Sequence, residues 1–412
     1  MILPNYSQGS IVNLVSSILH GLGASSPYTP LPDLVTQIKD ADTVILLVLD
    51  GMGMDSMQEL GKKSFFNQHY AQSLTSVFPS ATTAAVTTLM TGVAPQEHGF
   101  ISWDMNMKEF GSVVQVLPYR TKRKEPLKEK EIKVVASVFD KLKKIKTHLV
   151  IKKSLLKSPY NTLFCTKAEQ HGFNNLSGML RALRNIANVQ NNQTITSAKS
   201  ELYTKVLSSN IKHFKYIAHT HSQKKQYIYT YWGGFDDFSH AYGKTHPKTK
   251  AHLRLLERAM IHLAQGLEGT NTLLLVTADH GQIVTTPAKT IVLNKHPKLL
   301  ECLSVAPCGE PRAIVCYVHP HKVQQFEEYV KYKLKHYCTL HQSKELVRKN
   351  YFGLGKAHPH LFDRIGDYIL LPTENYVFRY FLPGEKPKSF KPGHHGGLSE
   401  EEMKVPLVMV KK

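Results

Sequence analysis

Val44-Ile-Leu-Leu-Val-Leu-Asp50-Gly51 is a run of six apolar residues that stops on a carboxylate and a glycine. The run has no polar alternation, so it reads as a strand buried on both faces, as in a parallel sheet. Two other stretches end the same way. Tyr227–Trp232, aromatic and β-rich, leads into Gly233-Gly-Phe-Asp236, and Thr272–Thr277 leads into Ala278-Asp279. Between them, His252–Leu267 sets Leu253, Leu256, Met260, Leu263 and Leu267 at helical spacing. Strand–helix–strand order predicts an α/β fold with a mostly parallel central sheet and helices on both faces. Val405–Val410 is expected to close the sheet, and Gly366-Asp-Tyr-Ile-Leu-Leu371 to add a core element. Ligands of such sheets gather beyond the carboxyl ends of the strands, which is where Asp50, Asp236 and Asp279 fall.

The chain has 412 residues, enough for one large α/β domain with insertions. The expected division is a single domain, 1–412, with its core at about 40–108, 219–283 and 363–412. Insertions are expected at about 109–218 and 284–362. The first holds a basic region and an Asn/Gln patch at 185–196; the second holds an expected strand, Ala313–Val318, and helix, Gln324–Tyr337. No internal repeat is visible.

An apolar fraction of 42% and a charged fraction of 20% exclude a disordered chain. No apolar run approaches the length of a membrane span. The first residues lack a basic stretch followed by an apolar one, so no standard secretory signal is expected. Five cysteines without Cys-x-x-Cys spacing fit reduced thiols and a cytoplasmic location. The formal charge is +20, with 15 Lys/Arg against 5 Asp/Glu between Lys108 and Lys157. That bias suits an anionic partner such as a phosphorylated small molecule. Nucleic acid is the less favoured partner, since no recognition module accompanies the charge; an acidic membrane surface is a further candidate, and a solvated basic face on an insertion is the favoured plain reading.

Five fragments carry the chemistry. They are Asp50; Thr82 in Pro79-Ser-Ala-Thr-Thr-Ala84; Asp236 and His240 in Gly234-Phe-Asp-Asp-Phe-Ser-His240; Asp279-His280-Gly281; and His395 in Gly393-His-His-Gly396. Three carboxylates, three imidazoles and one hydroxyl are what two adjacent zinc-like ions and a nucleophile require. Threonine is a weak nucleophile at neutral pH, and a neighbouring dication lowers its pKa. Each residue also has a plainer reading: Asp50 as a helix cap, Asp279-His280 as a turn, Gly51-Met-Gly53 as a faint dinucleotide fingerprint that fails at Ser56. Asp237 reads as solvent-facing or supporting, and His394 is the rival of His395.

Taken together, the fragments resemble the alkaline phosphatase superfamily, and most closely its type I phosphodiesterase/nucleotide pyrophosphatase branch. The resemblance implies one divalent metal, expected to be zinc, held by Asp236, His240 and His395. A second is held by Asp50, Asp279, His280 and the Thr82 oxygen. It implies hydrolysis of phosphodiester or pyrophosphate bonds, expected of nucleotides, through a covalent phospho-threonine. Phosphomonoester, phosphonate or sulfate-ester hydrolysis on the same residues is the alternative, as is a basic binding protein that keeps the fold without catalysis.

Family members often place the threonine directly before Phe-Pro, and aligning on Phe78-Pro79 selects Val77, which has no hydroxyl. Aligning on Thr91-Gly92 through His98-Gly99 selects Thr82, with Thr83 and Ser80 as alternatives. Diesterases commonly carry an asparagine four or five residues beyond His-Gly. Here that place holds Trp103, so Asn106 or an insertion residue has to substitute. Trp103 is then either the wall of a substrate pocket or a core residue.

Overall fold

The computed structural model describes residues 1–127, 132, 134–188, 225–385 and 389–412. In chain order the central sheet comprises Thr43–Leu49 (β1), Tyr70–Thr75 (β2), Lys146–Lys152 (β3), Glu169–Phe173 (β4), Gln226–Trp232 (β5), Thr272–Thr277 (β6) and Lys404–Lys411 (β7). They lie side by side as β2-β7-β6-β1-β5-β3-β4. From β6 to β4 every pair is parallel, whereas β7 runs antiparallel to both β6 and β2. Helices flank the sheet, giving a mixed α/β fold.

The apolar runs behave as their composition requires. All residues of β1 and β6 are buried, because β1 has strands on both edges and packed layers on both faces. Truncating one of its leucines, such as Leu46, would cost about 2–5 kcal/mol. The longer helix between β5 and β6 spans Pro247–Gly266, starting earlier than the apolar periodicity does. Pro247 stands at its first position, and the His246 side chain accepts the Lys248 N–H.

Two findings differ from the sequence reading. β7 lies inside the sheet, not at its end, and the edge beyond it is β2. Tyr70–Thr75 is largely exposed and polar, so it carries no apolar signal. The other edge, β3 and β4, comes from the 109–218 stretch set apart as an insertion; β3 buries Thr147–Ile151 between lysines at both ends. Residues 189–224, which include part of the Asn/Gln patch, fall outside the described residues.

A second, antiparallel sheet orders Cys338–Gln342, Tyr368–Pro372, Ala313–Cys316, Cys308–Glu310, Asp104–Met107, Ser112–Gln115 and Arg120–Thr121. The element expected at Gly366–Leu371 is therefore a strand of this sheet. The expected Ala313–Val318 strand ends at Cys316, and the expected 324–337 helix is Val323–Tyr329 continued by a wider turn, Val330–Leu334. This sheet covers a small apolar core of its own, with Phe326, Leu334 and Leu370 buried in it. All five cysteines are buried and unpaired. Among the described residues no helix is long and apolar enough to cross a membrane.

Candidate active site

The carboxyl ends of β1, β5 and β6 deliver three carboxylates to one place. Asp50 follows β1 directly, and Asp279 follows β6 after one residue. Asp236 stands in the first turn of the helix Gly234–Tyr242, which puts His240 one turn further on the same face. Gly51 allows the close approach: its φ is +73°, and a Cβ there would meet Asp236 Oδ1 at 3.0 Å. Its N–H donates to Asp279 Oδ1 at 3.1 Å.

Thr82 begins the helix Thr82–Thr91. His395 follows a short strand, Gly393–His394, paired with Ile283–Val284 just beyond His280. Gly393 is pressed against the Asp236 helix, where a Cβ would fall 2.1 Å from Ser239 O.

Two points of convergence result. His280 Nε2 lies 3.1 Å from Thr82 Oγ1, 3.4 Å from Asp279 Oδ2 and 3.5 Å from Asp50 Oδ1. His240 Nε2 lies 3.2 Å from both Asp236 Oδ2 and His395 Nε2. The rings of His280 and His395 stack at 3.7 Å and join the two points. Asp236, His240 and His395 form one set of potential metal-ligating atoms all within 4.8 Å of one another; Asp50, Asp236 and His280 form another.

The imidazoles share one orientation. Nδ1 of His240 faces the Gly393 carbonyl at 2.8 Å, that of His280 the Gly281 carbonyl at 3.1 Å, and that of His395 the Ser80 carbonyl at 3.1 Å. A carbonyl only accepts, so each ring keeps its proton on Nδ1 and presents an Nε2 lone pair inward.

The electrostatics fit a cation at these points. Burial, then the charges of Asp236 and Asp279, push the Asp50 carboxyl well up. Burial first, with Asp236 adding, raises Asp279 to about 6. For Asp236, burial is outweighed by His240, with help from His395 and His280, and the carboxyl sits below its usual range. Burial holds His280 down to about 4 and, with the charge of His280, His395 down to about 3. Among the described residues, Asp50 Oδ1 and Asp279 Oδ2 are buried with no hydrogen-bond partner. Orphaned buried oxygens are rare, and here both turn toward the same His280 nitrogen. A divalent cation would satisfy the orphans and offset the crowding of carboxylates, and oxygen with imidazole nitrogen is a zinc-type donor set.

The rival residues are placed elsewhere. Ser80 Oγ donates to the Gly397 carbonyl at 2.7 Å, and Thr83 Oγ1 is buried without a partner among the described residues. Of the three candidate hydroxyls, Thr82's is the one in contact with a site imidazole. His394 Nε2 is turned to the Lys391 carbonyl, and Asp237 is exposed.

Trp103 is 37% exposed, and its backbone N–H is held by Glu310, whose Cβ packs beside Gly396. It is thus one side chain removed from the His395 loop. Asn106 sits mid-strand in the second sheet with its side chain against the Tyr317 hydroxyl.

Sequence reasoning missed several supporting groups. Tyr231 donates to Asp50, and Gln282 to Asp236. Glu402 accepts from Gly397 N–H at 2.8 Å and from Ser399, while its partner Arg312 pairs with it at 3.0 Å. The nearness of Tyr231 to the end of β5, and of Gln282 to Asp279-His280-Gly281, was the available signal.

Residues 44–398 match the family described as type I phosphodiesterase / nucleotide pyrophosphatase. The chain belongs to this family. It is accordingly a phosphoester hydrolase, in the alkaline phosphatase superfamily. Among solved structures, murine ectonucleotide pyrophosphatase/phosphodiesterase 5 is similar with a TM-score of 0.62 at 15% identity, over 88% of this chain and 87% of that one. An inactive form of that murine protein was solved in complex with AMP. Phosphonoacetate hydrolase from Sinorhizobium meliloti, with phosphonoformate bound, gives a TM-score of 0.56 at 19% identity over 90% of each chain. No curated protein sequence matches the chain.

Proposed function

We propose that this protein hydrolyses phosphodiester or pyrophosphate bonds of nucleotide-like compounds in two steps through Thr82, with two divalent ions of zinc type. The observation that carries the proposal is the orientation of His240, His280 and His395, each anchored through Nδ1 and each turning Nε2 toward a carboxylate, with that of His280 also reaching the Thr82 hydroxyl. Asp236, His240 and His395 would hold one ion; Asp50, Asp279, His280 and Thr82 would hold the other. Bound there, the ions would supply Lewis acidity to the threonine hydroxyl and to the phosphoryl oxygens.

Thr82 opens its helix, so an attacked phosphoryl group meets the unpaired N–H groups of the first turn. The threonine oxygen bonds to phosphorus as the bond to the leaving oxygen breaks, and the hydroxyl proton passes to the departing group. Water then attacks the phospho-threonine, its proton restoring the hydroxyl. The carbonyl-anchored imidazoles hold the surrounding carboxylates and rings without rearrangement during either step.

A nucleotide-like substrate is supported by the family and by the AMP complex of the murine protein. Phosphonate cleavage is the rival that the Sinorhizobium enzyme suggests. Two in-line displacements give net retention at phosphorus, so a chiral phosphorothioate diester is expected to yield retained product. Inverted product would exclude the covalent step. A panel of nitrophenyl diesters, monoesters and phosphonates tests the substrate class.

A further inference from the structure

A second group of ligand-type side chains lies on the β3–β4 edge of the central sheet, away from the site just described. His148 is level with Ile228 and, through it, with Ile45. That is five residues short of Asp50, or roughly 16 Å along the strands, and two strands over, about 10 Å more. Glu169 is the register partner of His148, and His171 is two residues further along β4. Side chains alternate along a strand, so the three project from one face.

They also converge. His148 Nδ1 and His171 Nε2 are 3.0 Å apart, and Glu169 sets Oε2 3.7 Å from the first and Oε1 3.6 Å from the second. All three ligand atoms lie within 4.8 Å of one another. His148 is 2% exposed, and burial holds its ring down to about 4, so the ring is neutral. The Gln226 side chain faces this ring. Its amide N–H groups are already given to Thr43 and Ile186, so its oxygen is what remains. His148 Nε2 is buried and has no hydrogen-bond partner among the described residues, and its Nδ1 faces His171. Lys146 also reaches Glu169, at 3.1 Å, but both side chains are more than half exposed and the ammonium can swing into water.

We propose that His148, Glu169 and His171 form a further divalent-cation site of zinc type, which clips the edge strand β4 to β3. Two imidazoles and a carboxylate are a zinc donor set, with room for water as the fourth ligand. Backbone pairing already holds the three groups in register, so binding adds stability at little ordering cost.

The test uses the full chain, stripped of metal and titrated with zinc against a chromophoric chelator. Wild type is expected to bind one equivalent more than His171→Gln or Glu169→Gln, while all three hydrolyse a nitrophenyl ester equally at saturating zinc. Equal stoichiometry in wild type and variants would overturn the proposal. So would loss of hydrolysis together with the lost equivalent, which would make the missing ion a catalytic one. Should His171→Gln fail to fold, Glu169→Gln, at a half-exposed position, carries the comparison.

Discussion

His240 and His395 face each other through their Nε2 atoms at 3.2 Å, while the Nδ1 of each is held by a backbone carbonyl, Gly393's and Ser80's. Two lone pairs at that distance repel unless a proton or a cation lies between them. Burial lowers the affinity of His240 for a proton, and the adjacent Asp236 carboxylate more than restores it. A divalent cation would meet the same demand with more charge and could also be held by Asp236.

Metal content follows from this arrangement. Counted in His171→Gln, which isolates the site at the strand ends, the purified protein is expected to hold about two divalent ions per chain. Chelation is expected to abolish hydrolysis. Asp236→Asn and His395→Ala should each remove mainly one ion, Asp50→Asn and Asp279→Asn mainly the other, as read by elemental analysis. An active preparation holding a single ion would contradict the assignment.

Thr82→Ala is expected to lower turnover by several orders of magnitude while fold and most metal binding persist, because the nucleophile goes and six ligands stay. Thr82→Ser should keep measurable activity. Steady-state kinetics on Thr82→Ala, Thr83→Ala and Ser80→Ala decide the register. A dead Thr83→Ala or Ser80→Ala beside an active Thr82→Ala would move the nucleophile.

The Arg312–Glu402 pair is expected to set the acid limit of the His395 loop. Glu402 is fully buried, and burial alone would raise its pKa; Arg312, Ser399 and the Gly397 N–H more than reverse this and hold it below the usual glutamate range. A depressed carboxylate stabilises the fold fully above its unfolded pKa, about 4.3, and that stabilisation is lost as pH falls through the lower folded value. Glu402→Gln is therefore expected to destabilise at neutral pH by about 3–5 kcal/mol, since it leaves a buried guanidinium unpaired. Its stability should also change less than that of wild type below about pH 4.3. Chemical denaturation across pH measures both. The Glu402 carbonyl also accepts the Gly281 N–H at 2.9 Å, so metal affinity should fall with stability.

Much of this was legible in the chain because burial on both faces forces an apolar run whatever the partners are. β1, β5 and β6 announce themselves in that way, and Asp50, Asp236 and Asp279 stand where such strands stop. Tyr70–Thr75 was silent because an exposed edge strand needs no apolar pattern, and Arg120–Thr121 is too short to have one. The carbonyls of Ser80, Gly281 and Gly393 are invisible to residue type, since every residue has one. Arg312 and Glu402 are 90 positions apart, and only the packed structure brings them together. The grouping of His148 with Glu169 and His171 likewise depends on strand register.

Diesters or pyrophosphates bearing a nucleoside or aryl group are expected to be cleaved faster than simple monoesters. The family match supports the diester, and the exposed Trp103 supports the aromatic group. Its backbone is tied through Glu310 to the His395 loop, and the residue is 37% exposed. Stacking on a base or aryl ring is worth about 1–3 kcal/mol per base in single-strand binders, or roughly one to two orders of magnitude in specificity constant. A nitrophenyl monoester carries an additional charge and its one ring is the leaving group, so it lacks the nucleoside on which Trp103 is expected to stack. Specificity constants for a nitrophenyl monoester and the matching nucleotide nitrophenyl diester, in wild type and Trp103→Ala, separate the two contributions. The diester constant should fall in Trp103→Ala and the monoester constant should hold. A monoester preference in wild type would overturn the diesterase assignment. An unchanged ratio in Trp103→Ala would leave the substrate class standing and remove Trp103 from the binding surface.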